Sequence, residues 1–359
     1  MVRNDISLFK DIEFYAVILD ESQKIKNIDS RISKAVMLLN GKWRLALSGT
    51  PVENNLGELY SLFRFLNPPM FGSAGDFKNN YYNPIVKGGE EELITELKKK
   101  IYPFILRRLK TEVLKELPEK TEQIIYVDMS PEQRTLYDSR RDFFYTAIKS
   151  QIKAEGISKS RFFLFQALNE LRQIAGIPEA KSDGRVASPK VEVLLEYLDE
   201  VIENGHKVIV FANYLEALNL VGEELSKRNI RFLTMTGKTR RRDSLVDSFQ
   251  TDKDSKVFLM TLKTGGVGLN LTAADYVFIF DPWWNAAAEN QAVDRVHRIG
   301  QKNSVFSYKL ITRDTIEEKI LLLQQKKTDL VNMLIESDGE GKKMLDEEDI
   351  DFIFSRSSF

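Results

Sequence analysis

The 359 residues contain no cysteine, which removes disulfides and cysteine-ligated zinc and fits a reducing compartment. Only two histidines are present, His206 and His297, too few for a histidine-based metal centre. An excess of either charge is also lacking. The 52 Lys and Arg residues nearly balance 53 Asp and Glu, for a net charge of −1, so no global basic field draws the chain to nucleic acid. Any such binding must come from local patches: Lys98 to Lys100, Arg107-Arg108 with Lys110, and Arg240 to Arg242. Each patch alone reads equally well as a solvated face. No apolar run approaches the ~18 residues of a membrane span, and the charged N-terminus is no signal peptide. There is no internal repeat. A phosphate-cradling loop is missing too. Thr236 to Thr239 contains Gly-Lys-Thr, but the earlier glycine of that motif falls at Phe232, and no other stretch fits.

What is present suffices for about two domains. The chain is 43% hydrophobic and 29% charged, ordinary for a globular protein with a sizeable core. Phe14 to Leu19 reads as a buried strand ending at Asp20-Glu21, Ile32 to Leu39 as a helix, and Trp43 to Leu47 as a second strand ending in Ser48-Gly49-Thr50-Pro51. Strand–helix–strand order implies a parallel sheet. Residues 71–187 are mixed: a Gly88-Gly89 loop, a basic helix over Leu97 to Lys110, a strand at Gln123 to Val127, and a linker at Lys181 to Arg185. Ser130-Pro131-Glu132 marks a helix start, with a hydroxyl cap, proline at the first helical position and an acid in the first turn.

From residue 188 the alternation is regular. Helices over Val191 to Ile202, Leu215 to Leu225 and Leu245 to Phe249 alternate with strands at Val208 to Phe211, Phe232 to Met235, Val257 to Met260 and Val277 to Phe280. Continuous β-branched and aromatic runs suit a parallel sheet covered on both faces. Thr315 to Glu336 has the spacing of a long amphipathic helix, and an acidic, weakly ordered tail follows from Asp338, in which Ile350, Phe352, Ile353 and Phe354 are able to dock.

Four stretches are candidates for chemistry. Gln291, Arg295 and Arg298 fall on one face if their segment is helical. Two guanidiniums there suit the charge that spreads over phosphoryl oxygens in nucleotide hydrolysis, although a solvated Arg/Asp face has the same spacing. Asp20-Glu21 follows a strand, where ligands gather in open α/β sheets. The pair can hold Mg²⁺ through water and orient an attacking water, or simply cap a helix. Gly265, Gly266 and Gly268 follow another strand and let backbone N–H groups approach an anion. Trp283 and Trp284 cannot both enter one core face, so one stacks on nucleic acid or packs between lobes.

Taken in order, these residues resemble the ATPase core of the Swi/Snf family, DNA translocases within helicase superfamily 2. Asp20-Glu21-Ser22-Gln23 resembles its second motif, and Leu47 to Asn55 running on to Phe65-Leu66-Asn67-Pro68 its third. Pro103 to Arg108 with Leu117-Pro118 resembles a family-specific block. Val208 to Ala212, Gly265 to Ala274, Trp283-Trp284-Asn285 and Asp294 to Gln301 resemble motifs four, five and six. The resemblance spans nearly the whole chain. Ser22 stands where the family usually has Ala or Gly, Ala286 where it has Pro, and the block Leu171 to Pro178 lacks the Cys and His often seen there.

The resemblance implies an α/β fold of two RecA-like parallel-sheet lobes, the first incomplete because the chain opens just before motif two, with the phosphate loop expected upstream or on a separate polypeptide. The expected divisions are a partial first lobe (1–118), a helical linker region (119–187), a complete second lobe with its closing helix (188–337) and an acidic tail (338–359). The implied activity is ATP-dependent movement along double-stranded DNA, with ATP and Mg²⁺ as cofactors and no membrane association. The implied place is the cytoplasm, with the nucleoid if the source is prokaryotic. Asp20 is then the Mg²⁺ ligand, and Asp20, Glu21, Arg295 and Arg298 are catalytic. Gln23, Gly266, Gly268 and Gln291 meet the nucleotide. Thr261, Lys263, Thr264 and Trp283 meet DNA. The alternative expectation is a non-catalytic DNA- or partner-binding piece, or one subunit of a split ATPase.

Overall fold

The computed structural model describes residues 2–48, 56–85, 91–106, 108, 113–265, 268–283, 286–322, 324 and 347–355. The chain divides into two compact units, one from Met1–Arg107 and one from Arg108–Gln324 with Leu345–Phe359.

The first unit holds a two-stranded parallel sheet of β1 (Glu13–Leu19) and β2 (Asn40–Ala46), joined through α1 (Arg31–Met37). Ser30 starts α1 by accepting the Ser33 N–H on its hydroxyl at 3.1 Å. Val17 packs with Val36, Leu39 and Phe65 on one face of the sheet. Across the register Ala16 pairs with Trp43 and Ile18 with Leu45, and all four are exposed. Beside the sheet, α2 (Leu56–Leu66) and α3 (Glu91–Ile101) close a second core around Leu59, Phe63, Ile94 and Leu97. The basic helix expected over Leu97 to Lys110 is α3, and it ends early. Pro103 disfavours α geometry at Tyr102, and Tyr102–Phe104 makes a single 3₁₀ turn instead. Arg107 and Lys110 lie outside the described residues.

The second unit is built on a six-stranded, all-parallel sheet. Its strands are β3 (Lys120–Val127), β4 (Val208–Ala212), β5 (Phe232–Met235), β6 (Val257–Thr261), β7 (Tyr276–Ile279) and β8 (Val305–Thr312), in the order β3-β8-β7-β4-β6-β5. Helices α4 (Pro131–Glu155), α5 (Ile157–Gly176), α6 (Pro189–Glu203), α7 (Leu215–Lys227), α8 (Arg242–Thr251), α9 (Ala286–Val293) and α10 (Glu347–Phe354) surround it. Residues alternate across the sheet, so the central strands feed two cores. Val208, Val210, Leu259 and Phe278 pack under α6 and α7, whereas Ile209, Phe211, Phe258 and Ile279 pack against α8 and α9.

Several expectations change here. β3, which the sequence places in the 119–187 region, is an edge strand of this sheet, beside β8. β8 itself was not expected, because Ser307 and Lys309 interrupt its apolar run. The expected linker at Lys181 to Arg185 is a tight turn: a short helix, Glu179–Ser182, then Asp183 and Gly184 at positive φ. Ser130 caps α4 as anticipated, accepting Gln133 N–H at 3.1 Å. In the acidic tail, Ile350, Ile353 and Phe354 do dock, joining Tyr137, Phe144 and Ile148 in a core between α4, α5 and α10. The long helix expected from Thr315 is helical at 316–322 and 324, and its remainder lies outside the described residues.

Candidate nucleotide and nucleic-acid site

In the first unit, β1 delivers Asp20 and Glu21 at its carboxyl end. Asp20 Oδ1 accepts the Glu21 N–H at 2.9 Å, and Glu21 sits in the left-handed region at φ 52°. A non-glycine residue there stores roughly 1–3 kcal/mol of strain, which a fold retains most often at functional turns. Glu21 precedes a 3₁₀ turn, Ser22–Ile25, yet its side chain caps no N–H of that turn, so the plain capping role is not what the carboxylate does. Gln23 instead donates from Nε2 to Glu21 Oε2 at 2.5 Å and accepts from Ser48 Oγ at 3.0 Å. The turn after β1 is thereby tied to the segment after β2. Gly49 to Asn55 lie outside the described residues. Among the described residues no cluster of three or more His, Cys, Asp or Glu could hold a metal alone. The exposed Asp20 carboxylate still fits Mg²⁺, which is commonly held by one or two carboxylates together with substrate phosphates.

In the second unit Thr261, Lys263, Thr264 and Trp283 lie at or just after the ends of β6 and β7, on the carboxyl edge of the sheet where open α/β folds bind ligands, whereas Arg295 and Arg298 lie in the segment before β8, bonded to segments that precede β7 and β3. After β6 comes a single turn, Leu262–Gly265. Thr261 and Thr264 hydroxyls bond each other at 2.6 Å; Thr264 is buried, whereas Lys263 is exposed. A methyl on Gly265 would lie 2.3 Å from Phe211 Cε1, so only glycine lets this turn approach β4. Gly268 has φ 44° and open space around it, and Gly266 lies outside the described residues.

The arginine segment departs from the expectation. Helix α9 carries Gln291 but ends at Val293, and residues 294–300 form tight turns: Arg295 N–H reaches Ala292 O at 3.2 Å and Val296 N–H reaches Val293 O at 2.9 Å. Arg295 and Arg298 are therefore not on one helical face with Gln291. They are displayed by a turn pinned from several sides. Gln301 donates to Ala274 O at 2.8 Å and Val296 O at 3.3 Å, and His297 Nε2 lies 2.7 Å from Pro118 O. Arg298 is exposed and Arg295 half-buried.

Beneath the loops after β4 and β7 lies a buried ionic lattice that sequence reasoning missed. Lys190 on α6 and Glu317, 1% and 0% exposed, meet at 2.5 Å. Lys190 also donates to Phe280 O and Leu310 O at 3.2 Å, and Glu317 accepts the Thr312 N–H at 2.8 Å. Burial pushes the Lys190 ammonium below its ordinary range and the Glu317 carboxyl above it, and each partner opposes the other's shift. Arg172 on α5 and Asp281 after β7 form a second pair, 2% and 1% exposed, at 3.3 Å. Asp281 also accepts from Asn213, at 2.9 Å from its backbone N–H and 2.7 Å from its side chain. Burial pushes the Asp281 carboxyl up, and Arg172 and Asn213 draw it back. Glu289 completes the chain. It accepts the Trp283 N–H at 2.6 Å and meets Lys309 at 2.6 Å. The only warning in the sequence is charge placed within apolar runs; partners 109 and 127 residues apart leave no periodic signal.

Known proteins resemble this chain in sequence and in fold. The family model for the SNF2-related domain matches residues 1–179, and that for the helicase conserved C-terminal domain matches 189–300. An uncharacterized ATP-dependent helicase of Mycoplasma pneumoniae is 37% identical over 98% of the chain and 33% of its own length. The putative ATP-dependent helicase/translocase YwqA of Bacillus subtilis is 37% identical over 93% of the chain and 37% of its own length. The chain thus spans about a third of the length of each of these two relatives. The solved Sulfolobus solfataricus SWI2/SNF2 ATPase core in complex with dsDNA is 31% identical, with a TM-score of 0.51, over 94% of this chain and 76% of that one.

Proposed function

The chain belongs to the SNF2-related family, and from that premise we propose that it carries part of an ATP-dependent double-stranded-DNA translocase, from the acidic turn to the arginine turn. The observation that supports this most is the placement of the candidate residues: the loops after β4, β6 and β7 meet at one carboxyl edge over a buried ionic lattice, and the acidic turn ends a strand of the other sheet. In this reading Asp20 would hold Mg²⁺, which neutralises phosphate charge, while Glu21, fixed by Gln23, orients the attacking water. Arg295 and Arg298 stabilise charge on the transferred phosphoryl group. Gly266, Gly268 and Gln291 adjoin the nucleotide. Lys263 and Thr261 contact the duplex backbone and Trp283 stacks beside it. Thr264, buried and bonded to Thr261, shapes the turn rather than meeting phosphate.

These 359 residues contain no phosphate loop, so hydrolysis by them needs one from further polypeptide. The expected result is no duplex-stimulated phosphate release from the chain alone and turnover once a polypeptide bearing that loop is supplied. In that reconstituted state Arg298→Ala lowers turnover by about 10³–10⁵-fold with little change in melting temperature. Duplex affinity should fall steeply between about 50 and 200 mM salt, without sequence preference. Duplex-stimulated release from the chain alone that vanishes in Glu21→Gln, or normal turnover in Arg298→Ala, would remove this reading.

A further inference from the structure

The guanidinium of Arg172 lies where α5 meets the loop after β7. Nη2 donates to Pro282 O at 2.5 Å and to Asp281 Oδ2 at 3.3 Å. Its central carbon lies over two aromatic rings, 5.3 Å from the Tyr214 centroid and 5.1 Å from the Trp283 centroid. Trp283 remains 37% exposed. The buried cation lies over the ring, and the exposed part of the residue stays available to solvent or a ligand. Its backbone is fixed independently, since its N–H goes to Glu289 and its carbonyl accepts from Gln324. Arg172 therefore meets this loop in two ways, through its bonds to Asp281 and Pro282 and through the Trp283 ring. A planar guanidinium can bond two acceptors in its own plane while stacking on both faces; an ammonium cannot.

We propose that Arg172 is a positioning residue for duplex binding: it holds the Trp283 ring, through the cation–ring stack and the Asp281–Pro282 bonds, in the orientation that presents its open face to nucleic acid. This rests on the reading that the carboxyl edge of the second sheet binds DNA. It adds a residue on the helical hairpin, whose 2% exposure keeps it from touching DNA itself.

The test uses the full chain with Trp43→Phe and Trp284→Phe, which leaves Trp283 as the one fluorescent indole. Arg172→Lys keeps the charge opposite Asp281 and removes the planar stack. Acrylamide quenching of Trp283 should rise at least about twofold, and affinity for a fluorescent duplex should fall by about 2- to 30-fold, the range for residues that act on a ligand without touching it. Circular dichroism should show an unchanged fold. If Arg172→Lys does not fold, Tyr214→Leu removes the second ring under the guanidinium with both charges retained, and the same two readings apply. Unchanged quenching in a folded variant overturns the proposal. So does raised quenching with unchanged affinity, because the ring would then be held for some other purpose. Failure of the parent chain to bind any duplex overturns the DNA-binding reading instead and removes the duplex role assigned to Arg172. Quenching then still decides whether the arginine holds the ring.

Discussion

The two units solve the same problem to different degrees. Both are parallel sheets, and parallel sheets are ordinarily covered on both faces. The second unit meets that condition: β4 is buried along its whole length, with one apolar core on each side. The first does not. β1 and β2 bury Val17 on one face, while Ile18, Trp43 and Leu45 stand exposed on the other. A two-stranded sheet alone is marginal in water. The lesson is that site precision and fold closure go together. In the second unit the lattice of Lys190, Glu317, Arg172 and Asp281 fixes several loops at once, whereas in the first the acidic turn is held by Gln23 and its bonds to Glu21 and Ser48.

Removing the Lys190–Glu317 pair should break that contrast most severely. Glu317→Gln leaves the Lys190 ammonium buried without its countercharge, a loss of about 3–5 kcal/mol. Thermal unfolding followed by circular dichroism should show the second unit's transition falling by roughly 6–20 °C, with the first unit's unchanged. An unaltered transition of the second unit would mean that the lattice is not what ties the sheet together.

A smaller effect is expected where the second sheet is packed tightest. Gly265→Ala sets a methyl against Phe211 and should cost about 1–3 kcal/mol by overpacking. Urea denaturation measures it, and adding Phe211→Leu should recover part of the loss through coupling of touching sites. Simple additivity of the two would show that the clash is relieved elsewhere.

The smallest effect sharpens the comparison from the other side. Trp43→Thr exchanges an exposed ring on β2 for a strand-compatible polar residue, and it should change the first unit's stability by no more than about 0.5 kcal/mol. A loss of several kcal/mol in the isolated chain would show that this face is packed in solution.

Much of the fold was legible. The strands β1 and β4 to β7 overlap apolar runs that ordinary spacing marks, although β1, read as buried, buries only Val17, and Ser130-Pro131 marked the start of α4 within one residue. Legibility failed where apolar runs are interrupted or where helical spacing continues past a helix. Ser307 and Lys309 concealed β8. The Gln291, Arg295, Arg298 spacing suggested one helix, but α9 stops at Val293, and the chain turns to meet Gln301 and Pro118.

By itself the sequence determined the α/β class, the parallel order of strands and helices, the family, and the chemical identity of the acidic and arginine turns. All of these follow from local periodicity or from motifs contiguous in the chain. Tertiary structure alone decided that β3 lies beside β8, that Gln23 bridges Glu21 to Ser48, and that Arg172 and Lys190 reach across more than 100 residues to Asp281 and Glu317. The physical reason is desolvation. A charge pair in water leaves little trace in sequence pattern, but once the sheet excludes water each buried charge requires a partner, and only the folded path of the chain determines which residue is near enough to be one.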